Sequence, residues 1–465
     1  MAAEERERKD DADVEVGKTY ASDEEKRRSS DWASASNASN DTINALSDEE
    51  HAAPTCDKDD ASPPSPPDGG LWAWAQVVSG FMLYFNSWGM VTAFGVFQLY
   101  YPTTLLRTST DGTISWIGTM QGFLLAVISI FAGCVLDRGH PKLLIALGTF
   151  FVTLGMMTTS ACKVYWQFMP AQGICVGIGA GMLFITAVGV IPGWFARRRA
   201  LATGLSATGS SLGGVVYPIV FHNLEPRIGF GWTLRVMGFI ALATCLIALA
   251  LSTQRTLPPP RPKILDITAF REPLFTLFAL VSFTGAMGLY IPFFYITSYT
   301  TSTLPSTTGT LSWYMLPILS SGSIVGRILP ALLADTYGSL PVLALTTAIS
   351  AVLAFAWIAV KHSLAGLIVW SLLYGAFSGA FVSLQTPTVA SLTSDMRFVG
   401  GRMGMNNFCL ALGVLVGNPV AGAIGGNRQW WPGVQVFCGA SLAAAAGLTW
   451  VTWAVKEGRN PLRRR

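Results

Sequence analysis

The chain is short of charge. Asp, Glu, Lys and Arg make up only 12% of its 465 residues, where soluble domains carry about 25%. With 51% hydrophobic residues and a mean hydropathy of +0.45, this excludes an ordinary soluble domain. Paired cysteines are lacking too: Cys56, Cys134, Cys162, Cys175, Cys245, Cys409 and Cys438 form no C-x-x-C motif. That excludes a disulfide framework or a zinc ribbon, and the thiols read as small packing residues. Histidines number four and cluster with no other ligand type, so no metal site and no cofactor are expected. No nucleophile sits beside a base. Gly177-Ile178-Gly179-Ala180-Gly181 lies inside an apolar run with no strand before it, so it is not a phosphate loop, and no enzyme activity is expected. The net charge of +4 averages two regions: residues 1–68 hold 19 of the 27 acidic side chains, leaving 8 acidic and 23 basic residues for the rest. A mild balance of this kind implies no nucleic-acid partner.

What is present is a series of long apolar runs. Residues 1–67 are polar and end in Ser62-Pro63-Pro64-Ser65-Pro66-Pro67; such a segment buries too little apolar surface to offset its ordering entropy and is expected to be disordered. It has no signal-peptide pattern, and its sequons at Asn37 and Asn40 read as chance matches in a cytoplasmic tail. From residue 71 the sequence predicts twelve spans, each near the roughly 20 residues a bilayer needs. Their limits are 71–100, 113–135, 141–161, 165–192, 200–222, 232–252, 273–298, 311–333, 340–360, 363–387, 398–424 and 431–455. With the amino terminus inside, the inner connections and carboxyl tail hold sixteen Lys and Arg against six outside, which places both termini in the cytoplasm. The expected organisation is a tail at 1–67, a six-helix bundle at 68–252, a Pro-rich cytoplasmic linker at 253–272, a second six-helix bundle at 273–455 and a basic tail at 456–465.

The two halves echo each other. Gly133-Cys134-Val135-Leu136-Asp137-Arg138-Gly139 follows the second span and Leu333-Ala334-Asp335-Thr336-Tyr337-Gly338 the eighth, with Asp137 and Asp335 198 residues apart. Repeated halves are how many transporters are built, with a site near the midplane between them. The eighth span carries one full charge, Arg327, and an ionisable residue inside a span is a functional candidate because it is costly unless it faces a cavity or a partner. No acidic residue beyond 68 falls in the middle of a span, so Arg327 is best served by an anionic substrate or, transiently, by water. The alternative is a structural anchor that snorkels to the cytoplasmic end beside Asp335. Asn86, Tyr290, Gln385 and Asn407 join it as candidate substrate contacts, with helix-bridging as the alternative for the amides. Tyr290, Phe293 and Phe294 flank the helix break at Ile291-Pro292, which suggests a gate; an aromatic belt at the membrane interface is the other reading. The glycines at every fourth position of spans four and five read as close helix contacts, and Arg197-Arg198-Arg199 as an anchor to the anionic leaflet.

Gly133 to Lys142, a Gly-x-x-x-Asp-Arg-x-x-x-Lys run, resembles the cytoplasmic signature of the major facilitator superfamily. More narrowly, Pro66-Pro67-Asp68-Gly69-Gly70-Leu71-Trp72-Ala73-Trp74, the stretch from Trp194 through Arg199 to Ser210, the stretch from Tyr374 to Leu384, and Gly417-Asn418-Pro419-Val420-Ala421-Gly422 resemble the monocarboxylate transporter family and its fungal members. The resemblance implies an all-α membrane protein of twelve transmembrane helices in two six-helix bundles, the major facilitator fold. It also implies a gating role for Gly133, Asp137 and Arg138 and, through the internal repeat, for Asp335. It departs in two places: Gly89-Met90-Val91-Thr92 lacks the Lys that animal members carry late in span one, and Ser323 stands where they have an Asp. What carries over is a substrate-facing cation at Arg327, without the proton-coupled lactate chemistry. The expected function is a secondary transporter in the plasma membrane, its partners a small anionic substrate and the lipid bilayer. Efflux of a fungal secondary metabolite is the first expectation; uptake of a monocarboxylate or vitamin-like substrate, or a non-transporting membrane sensor, are the alternatives.

Overall fold

A computed structural model describes residues 68–195, 198–255, 267–304, 311–360, 363–393, 399–426 and 430–458. The expected disordered tail with its sequons, Arg197, the Pro-rich core of the linker and the last seven basic-tail residues lie outside these. Where lipid replaces water, each backbone N–H and C=O needs a partner within the protein, and helices supply it within one segment. The described residues accordingly form helices joined by short connections.

The first pass is built from three pieces, α1 (Leu71–Asn86), α2 (Trp88–Thr92) and α3 (Phe94–Tyr100), and finishes in a π-helical turn at Tyr101–Leu105. Then come α4 (Asp111–Asp137), α5 (Pro141–Thr159), α6 (Val176–Val190) and α7 (Arg199–Leu251). The second half comprises α8 (Pro273–Leu289), α9 (Ile291–Thr303), α10 (Leu311–Tyr337), α11 (Ser339–Ala356), α12 (Leu364–Leu392), α13 (Val399–Gly425) and α14 (Trp431–Gly458). Among the described residues 11 helices are long and apolar enough to cross a membrane. One of them, α7, has 53 residues and, at 1.5 Å per residue, would stretch about 80 Å against a hydrocarbon core of about 30 Å. It breaks at Gly229, where φ is 76°, a conformation that glycine alone adopts at little cost. The two arms are the fifth and sixth passes, so the twelve expected passes are present, with a sharp bend where a loop was expected between 222 and 232.

Packing repeats between the halves. In the first, α1 packs on α7, α4 and α5 on α6, and α5 on α7; in the second, α8 packs on α13, α10 and α11 on α12, and α11 on α14. Contacts between the halves follow the same exchange: α4 lies on α13, and α7 on α10. The repeated turns agree with this. Gly139 after α4 and Gly338 after α10 both adopt positive φ, 84° and 90°, which glycine takes without the Cβ clash that other residues meet.

Small residues set how near the helices come. Gly322 and Gly326 of α10 lie against the carbonyls of Leu372 and Ala376, and Gly375 and Gly379 of α12 lie against Leu319 and Ser323 in return. Without a hydrophobic drive between helices in lipid, this close van der Waals fit is what holds them together. Gly326→Ala would push a methyl into the Ala376 carbonyl, and overpacking costs about 1–3 kcal/mol. Its thermal midpoint in detergent should fall by several degrees, while Gly447→Ala, with nothing within 4 Å of the new methyl, should match the parent; equal midpoints for the two would refute the packing account.

Candidate functional site

Arg327 lies in α10 one residue beyond the tight contact at Gly326, and is 6% exposed. Its Nη1 donates to the Ala207 carbonyl of α7 at 3.2 Å, and its Nε to Ser323 Oγ, one turn earlier, at 3.3 Å. The side chain thus bridges the two halves where α7 and α10 pack. Among the described residues no carboxylate forms an ion pair with it. Ser323, the position where the resemblance marks an absent Asp, supplies a hydroxyl instead. The charge is met by neutral dipoles, the Ala207 carbonyl and the Ser323 hydroxyl. Two neutral acceptors use only part of a guanidinium's five N–H donors, and an oxyanion that accepts two at once is the group whose geometry matches the remainder.

Aromatic rings stand beside it. Tyr290, at the break between α8 and α9, stacks on Trp88 of α2 with centroids 5.3 Å apart and planes 9° apart. Trp88 and Tyr84 each meet Phe184 edge-on, at 6.2 Å and 5.7 Å. Tyr290, Phe293 and Phe294 are all at most 5% exposed; the belt reading therefore gives way to interior packing, because the break at Tyr290 turns these rings toward the first half. Trp88, Tyr84 and Phe184 were not singled out from sequence. The available signal was Ser87-Trp88-Gly89 inside an apolar run: Ser87 is a helix break and Gly89 admits Gly213 of α7 at contact distance.

The other candidates separate. Asn86 is fully buried and spent on protein: Nδ2 donates to the Met82 carbonyl and to Thr244 Oγ1, both at 2.8 Å, and Oδ1 accepts from Tyr217 at 2.7 Å. It bridges α1 to both arms of α7. Gln385 lies in a polar knot of the second half, where its Oε1 accepts from Asn406 Nδ2 at 3.1 Å and is 2.8 Å from Ser282 Oγ, while Nε2 is buried without a partner among the described residues. Asn407 is half-buried on α13. Neither amide shares a contact with Arg327. Gly133 is buried in α4 and Asp137 ends that helix, while Arg138 and Asp335 are exposed at the same end of the molecule. The sequence reading also missed an ion pair there: Arg402 of α13 grips Glu272, just before α8, through both carboxylate oxygens at 2.9 and 2.5 Å. At the opposite end, the halves meet closely. Gly422 faces Gly112 with room for no side chain, and Gly95 lies against the Phe293 carbonyl.

Repeated halves, a seam sealed at one end and, beside that seam, a buried cation with no carboxylate partner among the described residues define a polytopic carrier protein. The chain belongs to the major facilitator superfamily: the profile described as Major Facilitator Superfamily matches residues 77–338. The MFS-type transporter dbaD of Emericella nidulans is 42% identical over 380 residues, covering 81% of this chain and 85% of the relative. The MFS-type transporter pynF of Aspergillus niger is 36% identical, covering 82% and 88%. The aspyridones efflux protein apdF of Emericella nidulans is 33% identical, covering 81% and 76%. Among solved structures, the nucleoside transporter NupG superposes with a TM-score of 0.64 at 12% identity, covering 82% of this chain and 99% of that one. A bacterial homologue of the human lysosomal transporter Spinster, inward-facing and unoccupied, gives 0.61 at 14%, covering 83% and 97%. At such identity the likeness is one of fold.

The Asn86 bridge has a measurable consequence. Asn86→Leu strands the Tyr217 hydroxyl, while Thr244 keeps its bonds to the Ile240 and Ala241 carbonyls, and a buried polar group left unpaired costs about 1–3 kcal/mol. The expected outcome is a lower thermal midpoint for the purified protein, with Tyr217→Phe in the same background adding little further loss; full additivity of the two would rule out a shared bridge.

Proposed function

We propose that the chain exports a small organic acid or acidic amphipathic metabolite by alternating access, with Arg327 holding the substrate's anionic group between two six-helix halves. The observation that carries this reading is the buried guanidinium bonded, among the described residues, to the neutral Ala207 carbonyl and Ser323 hydroxyl alone. A charge held by neutral groups in a membrane interior is costly, and an arriving anion relieves that cost only while it is bound. The Trp88 and Tyr290 rings would take the apolar body of the substrate, with stacked aromatic pairs worth about 0.5–1.5 kcal/mol beyond area burial. Within the superfamily, the motifs at 66–74 and 194–210 support a place near the monocarboxylate transporters, and the printed efflux role of apdF supports export of a secondary metabolite.

The excess of Lys and Arg on one set of connections supports termini in the cytoplasm, with the plasma membrane as the site of action. The closed seam at Gly112 and Gly422 then faces outward, and the Asp137 and Asp335 turns face inward. Glu272 and Arg402 tie the start of α8 to the start of α13 on the inner side. Gly133, Asp137, Arg138 and Asp335 are proposed as the inner gate, and Gln385 and Asn407 as polar lining reached when the halves rock. No step in this reading breaks or forms a covalent bond, so the chain acts as a carrier without catalysis or cofactor.

The test is flux in inside-out vesicles loaded with the full chain and supplied with labelled organic acids. Arg327→Ala should lower accumulation by about tenfold or more at equal membrane abundance, since a hydrogen bond to a charged group contributes about 1.5–3 kcal/mol. Arg327→Lys keeps the charge but loses the fork, so it should recover only part of the flux. Normal transport by Arg327→Ala would falsify the anion-holding role.

A further inference from the structure

Away from Arg327, on the same seam but at the end sealed by Gly112 and Gly422, lies a half-open pocket of about 280 Å³. Its walls come from both halves: Tyr100, Thr103 and Thr104 at the end of the first pass, Phe221, His222, Glu225 and Pro226 on the first arm of α7, and Trp313 at the start of α10. Its size is at the lower limit of small-molecule pockets, which run from about 300 to 1,000 Å³. That is room for one substituted ring.

The lining has a definite chemical character. Glu225 Oε1 accepts from the Tyr100 hydroxyl at 2.9 Å, and Thr104 is within hydrogen-bond reach of the same phenol. A carboxylate has about four acceptor sites and no donor when ionised, so most of its capacity remains. The Thr103 hydroxyl donates back to the helix, to the carbonyls of Leu99 and Tyr100 at 2.9 and 3.1 Å, and so offers the cavity an oxygen acceptor. The ring walls are Phe221 and the Trp313 indole, on which His222 stacks at 5.2 Å and 18° across the seam; Tyr314 meets the same imidazole edge-on at 5.6 Å. The charged groups facing the cavity are Glu225 and, within electrostatic reach of it, His222. Arg107 lies at the rim, its Nε on the Thr103 carbonyl at 3.1 Å. Acceptors and ring faces thus converge on a space whose interior charge is negative, the reverse of the polarity at Arg327.

We propose that this cavity is a second ligand subsite for an aromatic ring bearing an O–H or N–H donor, a phenol or an aromatic amine, and that it disfavours carboxylates. The donor bonds the free acceptors of Glu225, and the ring lies against Trp313 and Phe221. Because the pocket is shared between α7 and α10, a molecule seated there holds the two halves together at that end. This subsite stands whether or not Arg327 holds an anion.

The test uses the full chain in nanodiscs with 4-methylphenol, 4-methylaniline and 4-methylbenzoate as probes of equal size. Binding is read by saturation-transfer NMR, and the site by photolabelling with 4-azidophenol followed by peptide mapping. The expected result is binding of the phenol and the amine in preference to the benzoate, and labelling of the segments 221–226 or 313–314. Glu225→Gln should weaken phenol binding about tenfold, the ratio for loss of a charge-assisted bond, and narrow the discrimination against benzoate. Thr104→Val keeps the shape and serves as a second variant, expected to weaken binding by a few-fold. Labelling confined to other segments, no saturable labelling, equal binding of benzoate by the parent, or undiminished phenol binding in a well-folded Glu225→Gln protein would each overturn it.

Discussion

A positive charge held in a membrane interior without a carboxylate is the constraint on which the arrangement turns. Arg327 reaches across the seam to the backbone of α7 and down its own helix to Ser323. Both acceptors are neutral, so the guanidinium is kept from water but not neutralised. One turn away Ser323 offers a neutral hydroxyl, which orients the guanidinium without cancelling its charge.

That charge can sit where it does because the helices around it are locked by small residues. Gly322 and Gly326 take the backbone of α12 at contact distance, and a side chain at Gly204 of α7 would meet the Arg327 carbonyl. The same device recurs on the other side of the molecule, where Gly413 and Gly417 of α13 lie against Phe283 and Met287 of α8. Both sets of contacts lie within the second half and make it a closely packed body. The polar residues within each half serve the same end: Asn86 joins three helical segments, and Gln385, Asn406 and Ser282 join α8, α12 and α13.

The two ends of the seam differ in chemistry. One carries the Gly139 and Gly338 turns, the Glu272–Arg402 pair and the exposed charges Arg138 and Asp335. The other is closed by direct backbone approach at Gly112 and Gly422 and by the ring stack of His222 on Trp313. A bidentate Arg–carboxylate pair that is half open to solvent is modest in strength, while helix contacts without side chains are dry and close-packed. Opening one end and opening the other therefore draw on different interactions, and each can be altered without touching the other.

The sequence by itself determined the architecture: long apolar runs admit few structures in lipid other than helices, and the repeated Asp137 and Asp335 turns, 198 residues apart, declared two halves. It also marked Arg327, since a full charge inside an apolar run is visible in one dimension, and the Ile291-Pro292 break, since proline leaves few alternatives. What it left open was decided by packing between distant segments. Whether Asn86 faces a cavity or a neighbour depends on Thr244 and Tyr217, 158 and 131 residues away. The Trp88 and Tyr290 stack, the Glu272–Arg402 pair and the pocket around Glu225 each join residues that no periodicity relates. Side-chain placement of this kind follows from how twelve passes settle against one another, and only the tertiary structure contains that information.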